Sequence, residues 1–417
     1  WLGIVLCIAG LTLFGSYQGR FLADKHFVLS QPSDTLARLG HHFVVGYRSQ
    51  AEIEQLIEKR AIAGIYLTRR NIGGKSIAEI KGAIAHLQSL RQETRQPPLW
   101  VSTDQEGGIV SRLSPPLAPL PPLAQIVDST AAGDRQAQVQ AYAETHGREL
   151  ANLGINLNFA PVVDLDHGQL NPDDRLSQIF RRAIASDSAI VSAVAQTYCQ
   201  TLMSFGVHCT LKHFPGLGRV VADTHLTPAQ LATPVETLRQ SDWIPFHPEQ
   251  MADGAFTMLG HATVTALDPD YPASFSHKIV AGLLRQTWQH DGVLITDDFS
   301  MGAVYYSKAG VLTATRKALN SGVDLILIAY DPALYYPIMA SLIRAEQTGQ
   351  LAPGPLKLSR DRLRRYQTKR PTPDRASLNR SAKPNRSPDA IRGNASPAEK
   401  ANSSPTDLIK IGHYDFP

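Results

Sequence analysis

The densest group of residues that could do chemistry lies between Lys212 and His225. This segment holds two histidines, a lysine, an aspartate and two glycines within fourteen positions, and it follows the apolar run 206–211. Polar groups packed this densely after a buried strand are costly unless a site uses them. The segment therefore predicts a functional loop at the end of a strand.

Within that loop, Asp223 and His225 stand two residues apart among turn-forming neighbours. A carboxylate beside an imidazole orients the ring and raises its basicity, as in the serine protease triad. Gly216 and Gly218 supply backbone freedom, so we expect the pair to move into and out of the site. In isolation, the same spacing is also typical of a surface hydrogen bond.

A second candidate is the adjacent pair Asp297 and Asp298, which ends an apolar run. Neighbouring side chains of an extended strand point to opposite faces, so one carboxylate can face a site while the other holds the scaffold. Such a carboxylate can be a nucleophile, a base or a metal ligand. With Asp104, His213 and His225 it could complete a metal site, but the flanking motifs do not favour one and we predict no metal.

Acidic residues and glycines are also grouped at 104–108, which reads Asp-Gln-Glu-Gly-Gly, with Arg112 close behind. The glycine pair permits close approach of a ligand to the backbone. Short carboxylates suit sugar hydroxyls because each oxygen can accept hydrogen bonds. The alternative interpretation is a structural turn with a local salt bridge.

The elements that must position these residues alternate between short β-branched runs and longer amphipathic segments, from about residue 43 to residue 331. The predicted strands are 43–47, 64–68, 99–103, 155–161, 206–211, 255–259, 292–296 and 323–329. The predicted helices include 49–61, 76–94, 137–153, 188–205, 276–289 and 309–321. Eight strand–helix units predict an α/β fold of the (β/α)8 TIM-barrel type with a single catalytic domain.

The placement of polar residues agrees with a barrel, because barrel enzymes build their sites at the carboxyl ends of the strands. Polar side chains follow the third to seventh predicted strands in turn. They are residues 104–108, then Asp164 and Asp166, then Lys212 and His213, then His261, and last Asp297 and Asp298. The candidate residues are therefore predicted to meet at one mouth of the barrel.

The formal charge of +4 is concentrated at one end of the chain. Residues 367–417 hold nine Lys/Arg and five Asp/Glu, which accounts for the whole excess. The near-neutral body argues against a nucleic-acid partner, since such proteins show a basic patch or stripe. The three cysteines have neither metal-ligand spacing nor the pattern of a disulfide framework, so Cys199 and Cys209 are expected to be plain core residues.

The two ends of the chain differ from its body. Residues 1–14 are almost wholly apolar. This run predicts a signal peptide or membrane anchor that spans residues 1–20, and the alternative is a buried helix. We therefore expect an exported or cell-envelope protein (periplasmic, membrane-anchored or secreted), or a cytoplasmic one if the run is not a signal. Residues 367–417 are rich in Pro, Ser, Asn, Arg and Lys, and predict a disordered tail after a catalytic barrel at 25–366.

Taken together, the motifs resemble glycoside hydrolase family 3, in its single-domain β-N-acetylglucosaminidase branch. The resemblance runs from about residue 64 to residue 366. Its marks are 104–108, 158–164, 212–216 with 223–225, Pro245 with Phe246, 267–268 with 272–276, Leu284 with Arg285, and 292–301. Leu217 and Thr224 stand where the family commonly has His and Ser.

The resemblance implies a role for each matching position. Asp297 matches the nucleophile that forms a glycosyl-enzyme, His225 matches the general acid/base, and Asp223 matches its dyad partner. The positions that match sugar-binding residues of the −1 subsite are Asp104, Arg112, Arg182, Lys212 and His213. Around Arg182 the family's usual neighbours are replaced.

The implied activity is retaining, exo-acting removal of terminal β-linked GlcNAc from peptidoglycan fragments (muropeptides) or chitooligosaccharides, without a cofactor. We expect a GlcNAc-containing oligosaccharide or muropeptide substrate, no nucleic-acid partner, membrane association through the N-terminal segment, and a monomer. One alternative is a β-glucosidase or β-xylosidase of the same family. Another is a non-catalytic sugar-binding protein of the cell envelope.

Overall fold

The computed structural model describes residue 15, residues 18–172 and residues 174–368. Eight parallel strands form the central sheet of this part of the chain. They are β1 Phe43–Val45, β2 Gly64–Tyr66, β3 Trp100–Thr103, β4 Leu157–Asn158, β5 Thr210–Phe214, β6 Phe256–Leu259, β7 Leu294–Asp298 and β8 Leu325–Ile328. Each lies within or overlaps a predicted strand, so the strand predictions are confirmed.

The sheet closes on itself as a barrel. Its hydrogen-bonded order is β4-β3-β2-β1-β8-β7-β6-β5. The two end strands are joined by the isolated parallel bridges Leu157–His208 and Val162–Lys212. The N–H of Asn158 also donates to the His208 carbonyl at 2.8 Å. The predicted (β/α)8 architecture is therefore confirmed.

Helices cover the outside of the barrel. Their bounds are 18–29, Ser33–Gly40, Gln50–Glu58, Arg69–Ile72, Ile77–Glu93, Leu123–Asp128, Arg135–Leu153, Ile179–Arg182, Ser188–Ser204, Val235–Gln240, Lys278–Thr287 (π-type), Gly302–Tyr305, Gly310–Ser321, Tyr335–Gln347 and Pro353–Thr368. Local signals set some of these bounds. Ser76 and Glu79 form a capping box at the start of the helix Ile77–Glu93, and Gly154, at φ 90°, ends the helix Arg135–Leu153.

The connections between strands and helices contain 3-10 turns and two small sheets. Single 3-10 turns occur at Ile244–Phe246, Pro248–Gln250, Ala273–Phe275 and Pro332–Leu334. Two small sheets pair Gln105–Gly107 with Val110–Ser111, and Ala229–Leu231 with Ala262–Val264. Because these hairpins and bridges lie after β3, β5 and β6, they extend the loops at the carboxyl ends of the strands.

The amino-terminal end of the barrel is filled by side chains. Trp100 packs against Phe256 with ring centroids 5.2 Å apart. The buried carboxylate of Asp324, just before β8, pairs with Arg285 at 2.6 Å and with Arg362 of the last helix at 2.9 Å. Since this end of the barrel is packed and ion-paired, the opposite end is left for a substrate.

Cys199 and Cys209 form a disulfide bond, with Cα atoms 5.3 Å apart. The expectation that they are plain core residues is therefore wrong, although both are buried. Cys199 lies in the helix Ser188–Ser204, and Cys209 comes just before β5. Gly206, at φ 76°, turns the chain back so that residues ten apart in sequence meet. A spacing of ten carries no such information by itself.

Two helices of the described chain cross the predicted domain bounds. A helix at 18–29 continues across the expected end of the signal segment at residue 20, and Phe21 packs edge-on against Tyr336 at 5.9 Å. The helix Pro353–Thr368 passes the predicted barrel end at 366, because Gln367 still bonds to the carbonyl of Pro98 at 3.2 Å.

The apolar run 1–14 and the tail residues 369–417 lie outside the described residues, so the predictions for them stay predictions. Among the helices that are described, none is long and apolar enough to cross a membrane.

Candidate active site

All eight residues predicted for the site lie at the carboxyl-terminal mouth of the barrel. They are Asp104 and Arg112 after β3, Arg182 after β4, Lys212 and His213 on β5, Asp223 and His225 after β5, and Asp297 on β7. The elements that carry them are separated by up to two hundred residues in sequence and are brought together because parallel strands end on the same side.

The two adjacent aspartates of β7 have different environments. Asp298 is buried and accepts hydrogen bonds from the N–H groups of Ala329 and Tyr330, at 3.0 and 2.8 Å, and from the N–H and hydroxyl of Ser300, at 3.0 and 2.7 Å. It therefore ties β7 to the loop after β8. Its own N–H donates to Asp297 Oδ1 at 2.8 Å, and Asp297 is the one residue of β7 that is only partly buried.

Three histidines influence the charge state of Asp297. Burial alone would raise the pKa of Asp297, but the fields of His213, His261 and His225 outweigh it, and the net shift is downward. An ionised carboxylate without a fixed cationic partner is suited to attack an electrophilic carbon. Asp297 therefore has the charge state that a nucleophile needs.

Asp223 and His225 form a hydrogen-bonded pair. His225 Nδ1 lies 2.9 Å from Asp223 Oδ1, and the His225 backbone N–H donates to the same oxygen at 2.9 Å. Burial opposes the charge on Asp223, yet the bond from His225 lowers the pKa of Asp223 to about 2. Since Nδ1 is held by a carboxylate, Nε2 is the nitrogen free to exchange a proton with a bound molecule.

The loop bearing this pair is docked against the start of the helix Gly302–Tyr305. The N–H of Gly302 donates to the His225 carbonyl at 2.8 Å, and that of Ala303 donates to the Thr224 carbonyl at 3.1 Å. A Cβ on Gly302 would lie 2.2 Å from the Leu226 carbonyl oxygen. A glycine is therefore required here, because the two backbones approach too closely for any side chain.

A cluster of four charged side chains forms the floor of the mouth. The buried Lys212 ammonium lies 2.6 Å from Asp104 and 2.6 Å from Glu106. Arg182 reaches Glu106 with two hydrogen bonds of 3.0 and 2.7 Å. The cluster holds two negative and two positive groups, and such paired groups can accept and donate hydrogen bonds to sugar hydroxyls.

The charge of Asp104 is stabilised by its neighbours. Burial would raise the pKa of Asp104, but the charges of Lys212 and Arg112 lower it to about 2. The Tyr66 hydroxyl on β2 also donates to Asp104. Arg112 is exposed, and its backbone N–H donates to the Asp104 carbonyl at 3.0 Å. Arg112 thus stands at the rim, whereas Lys212 lies beneath it.

His213 is held by Asp164, a residue of the 158–164 motif that the sequence places after the fourth predicted strand without a partner. Asp164 accepts hydrogen bonds from His213 Nδ1 at 2.7 Å, from its N–H at 3.1 Å, and from the N–H of Leu217 at 2.7 Å. The ring of His213 is therefore fixed in orientation. The position of Asp164 after β4 predicts its place at the mouth, and the fold shows that its partner is His213.

Glu106 and His261 are two further residues of the mouth, for which the sequence predicts a place at a strand end but no role. Glu106 stands inside the 104–108 motif, but its partner Arg182 is 76 residues away. His261 follows β6, and its Nε2 and Nδ1 lie 3.0 Å from the Asp298 carbonyl and 2.8 Å from Ser274 Oγ. Burial lowers the pKa of His261. For both residues, the position after a strand predicts the location at the barrel mouth. Their partners become apparent only in the fold.

The glycines around Leu217 are packed rather than exposed. A Cβ on Gly218 would lie 1.8 Å from the Leu165 carbonyl oxygen, and Gly216 has φ 97°. Leu217 is buried in a small apolar cluster with Ile179, Ala183 and Ala262. In this conformation the glycines therefore serve close approach, and their expected action as a hinge stays a prediction.

Among the residues that the structure describes, no group of three or more His, Cys, Asp or Glu side chains is arranged to hold a metal ion. The site is instead a barrel mouth with one free carboxylate, one carboxylate-bound imidazole and a paired charge cluster. Groups of these types can supply the acid/base and nucleophilic chemistry that a hydrolase needs to act on a polar substrate.

Comparison with known proteins identifies the family. The model of the glycosyl hydrolase family 3 N-terminal domain matches residues 30–365. A beta-hexosaminidase from Xanthomonas oryzae pv. oryzae is 32% identical over 313 residues, covering 74% of this chain and 88% of the relative. The chain therefore belongs to glycoside hydrolase family 3 and is a glycoside hydrolase, as the motifs predicted.

Solved structures agree with this assignment. A beta-N-acetylhexosaminidase from Beutenbergia cavernae is 28% identical with a TM-score of 0.67, and the match covers 81% of this chain and 98% of that one. A family 3 beta-N-acetylglucosaminidase from a Paenibacillus species is 26% identical with a TM-score of 0.72, covering 89% of this chain and 66% of that one. The barrel is therefore shared with these enzymes.

Proposed function

We propose that the protein is a retaining, exo-acting β-N-acetylglucosaminidase that uses Asp297 as nucleophile and His225 as general acid and base. The observation that carries the proposal is the Asp223–His225 pair, in which a carboxylate holds Nδ1 and leaves Nε2 free at the same mouth as Asp297. The names of the relatives, beta-hexosaminidase and beta-N-acetylglucosaminidase, support the choice of sugar.

In the first step an Asp297 carboxylate oxygen attacks the anomeric carbon. The bond to the leaving oxygen breaks, and that oxygen takes the proton of His225 Nε2. In the second step water attacks the anomeric carbon, gives its proton to Nε2 and releases Asp297. Most retaining glycosidases place two carboxyl groups about 5–5.5 Å apart. Here an imidazole takes one of the two places, and an imidazole is a side chain that can both give and take a proton in general acid and base catalysis.

The remaining residues are assigned to the sugar. We place Asp104, Lys212, Arg182, Arg112 and His213 around the −1 sugar, where Lys212 and Arg182 keep the carboxylates ionised as hydrogen-bond acceptors. Binding of hydroxyl groups by charged partners fixes the ring relative to Asp297, and positioning of this kind is a large part of enzymatic rate enhancement.

The substrate proposed is a peptidoglycan fragment or chitooligosaccharide with terminal β-linked GlcNAc. We also propose that the protein is exported or envelope-associated, which the Cys199–Cys209 disulfide supports because such bonds persist in oxidising compartments. A monomer is supported by the origin of all eight proposed site residues in one chain.

The proposal is tested with matched aryl glycosides. Initial rates are measured on an aryl β-GlcNAc and on the corresponding β-glucoside and β-xyloside, with product analysis on a GlcNAc–anhydromuramic acid fragment and on chitobiose. We expect preference for the GlcNAc donor and release of single GlcNAc units. Preference for the glucoside or xyloside would replace this activity by that of another branch of the family. Binding of GlcNAc without turnover would favour a non-catalytic sugar-binding protein.

A further inference from the structure

The segment between β4 and the helix Ile179–Arg182 reaches the Asp223–His225 pair. The buried hydroxyl of Ser177 donates to Asp223 Oδ1 at 3.1 Å and lies 3.3 Å from His225 Nδ1. The N–H of Leu176 donates to the second oxygen, Oδ2, at 3.1 Å. The carboxylate of Asp223 is therefore held on both oxygens by a loop other than its own.

Asp174 fixes the turn that presents this hydroxyl. Its two carboxylate oxygens accept hydrogen bonds from the N–H groups of Ser177, at 2.9 Å, and Gln178, at 2.8 Å. Because Asp174 holds the backbone on either side of the Ser177 side chain, the hydroxyl has a defined direction. A hydrogen bond with a preset direction costs less conformational entropy to form than one from a free side chain.

The same residue also contacts the charge cluster of the sugar pocket. The carbonyl of Ser177 accepts a hydrogen bond from Arg182 Nη1 at 2.8 Å, while the rest of the Arg182 guanidinium binds Glu106. Ser177 thus joins the pocket cluster to the imidazole: its main chain is fixed by Arg182 and its side chain by Asp223. Arg182 and Asp223 are therefore linked through hydrogen bonds to a single residue.

We propose that Ser177 is a positioning residue, which holds the Asp223–His225 pair where Nε2 meets the leaving oxygen and sets that position relative to the sugar held by Arg182. The inference rests on the proposed roles of His225 and Asp223. Ser177 itself does not touch the reacting atoms. The Ser177 hydroxyl holds the Asp223 carboxylate, and this carboxylate holds Nδ1 of His225. The orientation of Nε2 is set by these two contacts.

Acid catalysis gives this role a specific signature. The ratio kcat/KM reports steps up to formation of the glycosyl-enzyme, and protonation matters more in this step for a basic leaving group than for an acidic one. A dinitrophenyl β-GlcNAc therefore depends little on the aim of Nε2, whereas a phenyl β-GlcNAc depends on it strongly. General destabilisation of the barrel would lower both values alike.

The experiment compares kcat/KM on these two donors for Ser177→Ala, Ser177→Thr and the control Ser186→Ala, which changes an exposed serine four residues beyond Arg182. For Ser177→Ala we expect a loss of about 10-fold on the phenyl donor, the equivalent of one hydrogen bond to a charged group, and little change on the dinitrophenyl donor. Ser177→Thr should restore most of the loss, and Ser186→Ala should match the wild type.

Equal losses on both donors, or no loss on the phenyl donor, would overturn the role of Ser177. If the alanine variant does not fold, Ser177→Thr and Ser177→Val, which have the same shape with and without a hydroxyl, give the same comparison. His225→Ala separates this inference from the proposed function. If His225→Ala keeps the wild-type ratio between the donors, the acid/base assignment itself is wrong; if it changes the ratio and Ser177→Ala does not, only the inference about Ser177 is wrong.

Discussion

Arg182 binds Glu106 through two parallel hydrogen bonds, of 3.0 and 2.7 Å, at the floor of the barrel mouth. Burial opposes the charge of Glu106, but the charges of Arg182 and Lys212 lower its pKa. Conversely, burial would lower the pKa of Arg182, and the Glu106 charge raises it. Each ion of the pair therefore stabilises the charge of the other, because a buried charge without a partner is costly.

Replacing Glu106 by Gln should damage both stability and substrate binding. The variant leaves the Arg182 guanidinium buried with weaker partners, and breaking such a pair costs about 3 kcal/mol. We expect a lower Tm in thermal unfolding and a higher KM on an aryl β-GlcNAc. Glu93→Gln, at an exposed glutamate, is the control and should match the wild type in both. Unchanged Tm and KM for Glu106→Gln would show that the pair is not needed.

Replacing Gly302 by Ala should displace the loop that carries His225. The new Cβ would lie 2.2 Å from the Leu226 carbonyl oxygen and 3.0 Å from that of His225, so one backbone must move. Misplacement of a catalytic group by about 1 Å can cost about 100-fold in rate. We expect a loss of that order in kcat/KM.

The control for this loss is Gly82→Ala, at a helix position with open space around the added methyl group. It should keep full activity. If Gly302→Ala also keeps full activity with an unchanged leaving-group dependence, the docking of the loop on the helix Gly302–Tyr305 does not position His225.

The barrel should lose stability in mild acid partly through His146. Its Nδ1 lies 3.0 Å from the Tyr198 hydroxyl, and burial lowers the pKa of His146 from 6.5 to about 3. Below pH 6.5 the unfolded chain therefore binds a proton that the folded chain does not, so folding stability falls as the pH decreases toward 3. The stability that is linked to the neutral state of His146 is fully present above pH 6.5.

This effect is measurable as a slope. Between pH 6 and pH 4, the free energy of unfolding of the wild type should fall as the pH decreases. The slope of this fall should be smaller in His146→Gln by about 1.4 kcal/mol per pH unit. His26→Gln, which alters an exposed histidine, is the control and should keep the wild-type slope. Parallel pH dependences of His146→Gln and the wild type would contradict the buried neutral state of His146.

Reduction of the Cys199–Cys209 bond should destabilise the protein. Opening a loop of about ten residues costs about 3 kcal/mol in the chain-entropy description. We expect thermal unfolding with a reductant to give a lower Tm for the wild type. The double variant Cys199→Ala, Cys209→Ala should show the same Tm with and without the reductant. A wild-type Tm that does not respond to full reduction would contradict a stabilising role.

Much of the fold could be predicted because the barrel repeats one local pattern. Each buried strand is a short apolar run, and each helix has a period and a cap that the chain itself displays, as at Ser76 and Glu79. The candidate site followed from the same pattern, since polar residues such as Lys212 and Asp297 come where strands end. The family resemblance added the roles expected of them.

What could not be predicted depends on distances between residues far apart in the chain. Ser177 lies in an irregular segment with no period, so nothing in its surroundings indicates that it faces Asp223, 46 residues on. The pairing of Glu106 with Arg182 and of Cys199 with Cys209 likewise results from how helices pack on strands. These contacts are tertiary, and local preferences of the sequence do not encode their direction.

The central claim, that Asp297 is the nucleophile of a retaining β-N-acetylglucosaminidase, is tested most directly by trapping the glycosyl-enzyme. The protein is incubated with an activated, ring-fluorinated β-GlcNAc donor, which slows the second step, then digested and analysed by mass spectrometry. The account predicts one sugar adduct, on the Asp297 carboxylate, which is absent when Asp297→Asn is treated alike. Turnover of an aryl β-GlcNAc by wild type with no adduct, or with the adduct on another residue, would contradict it.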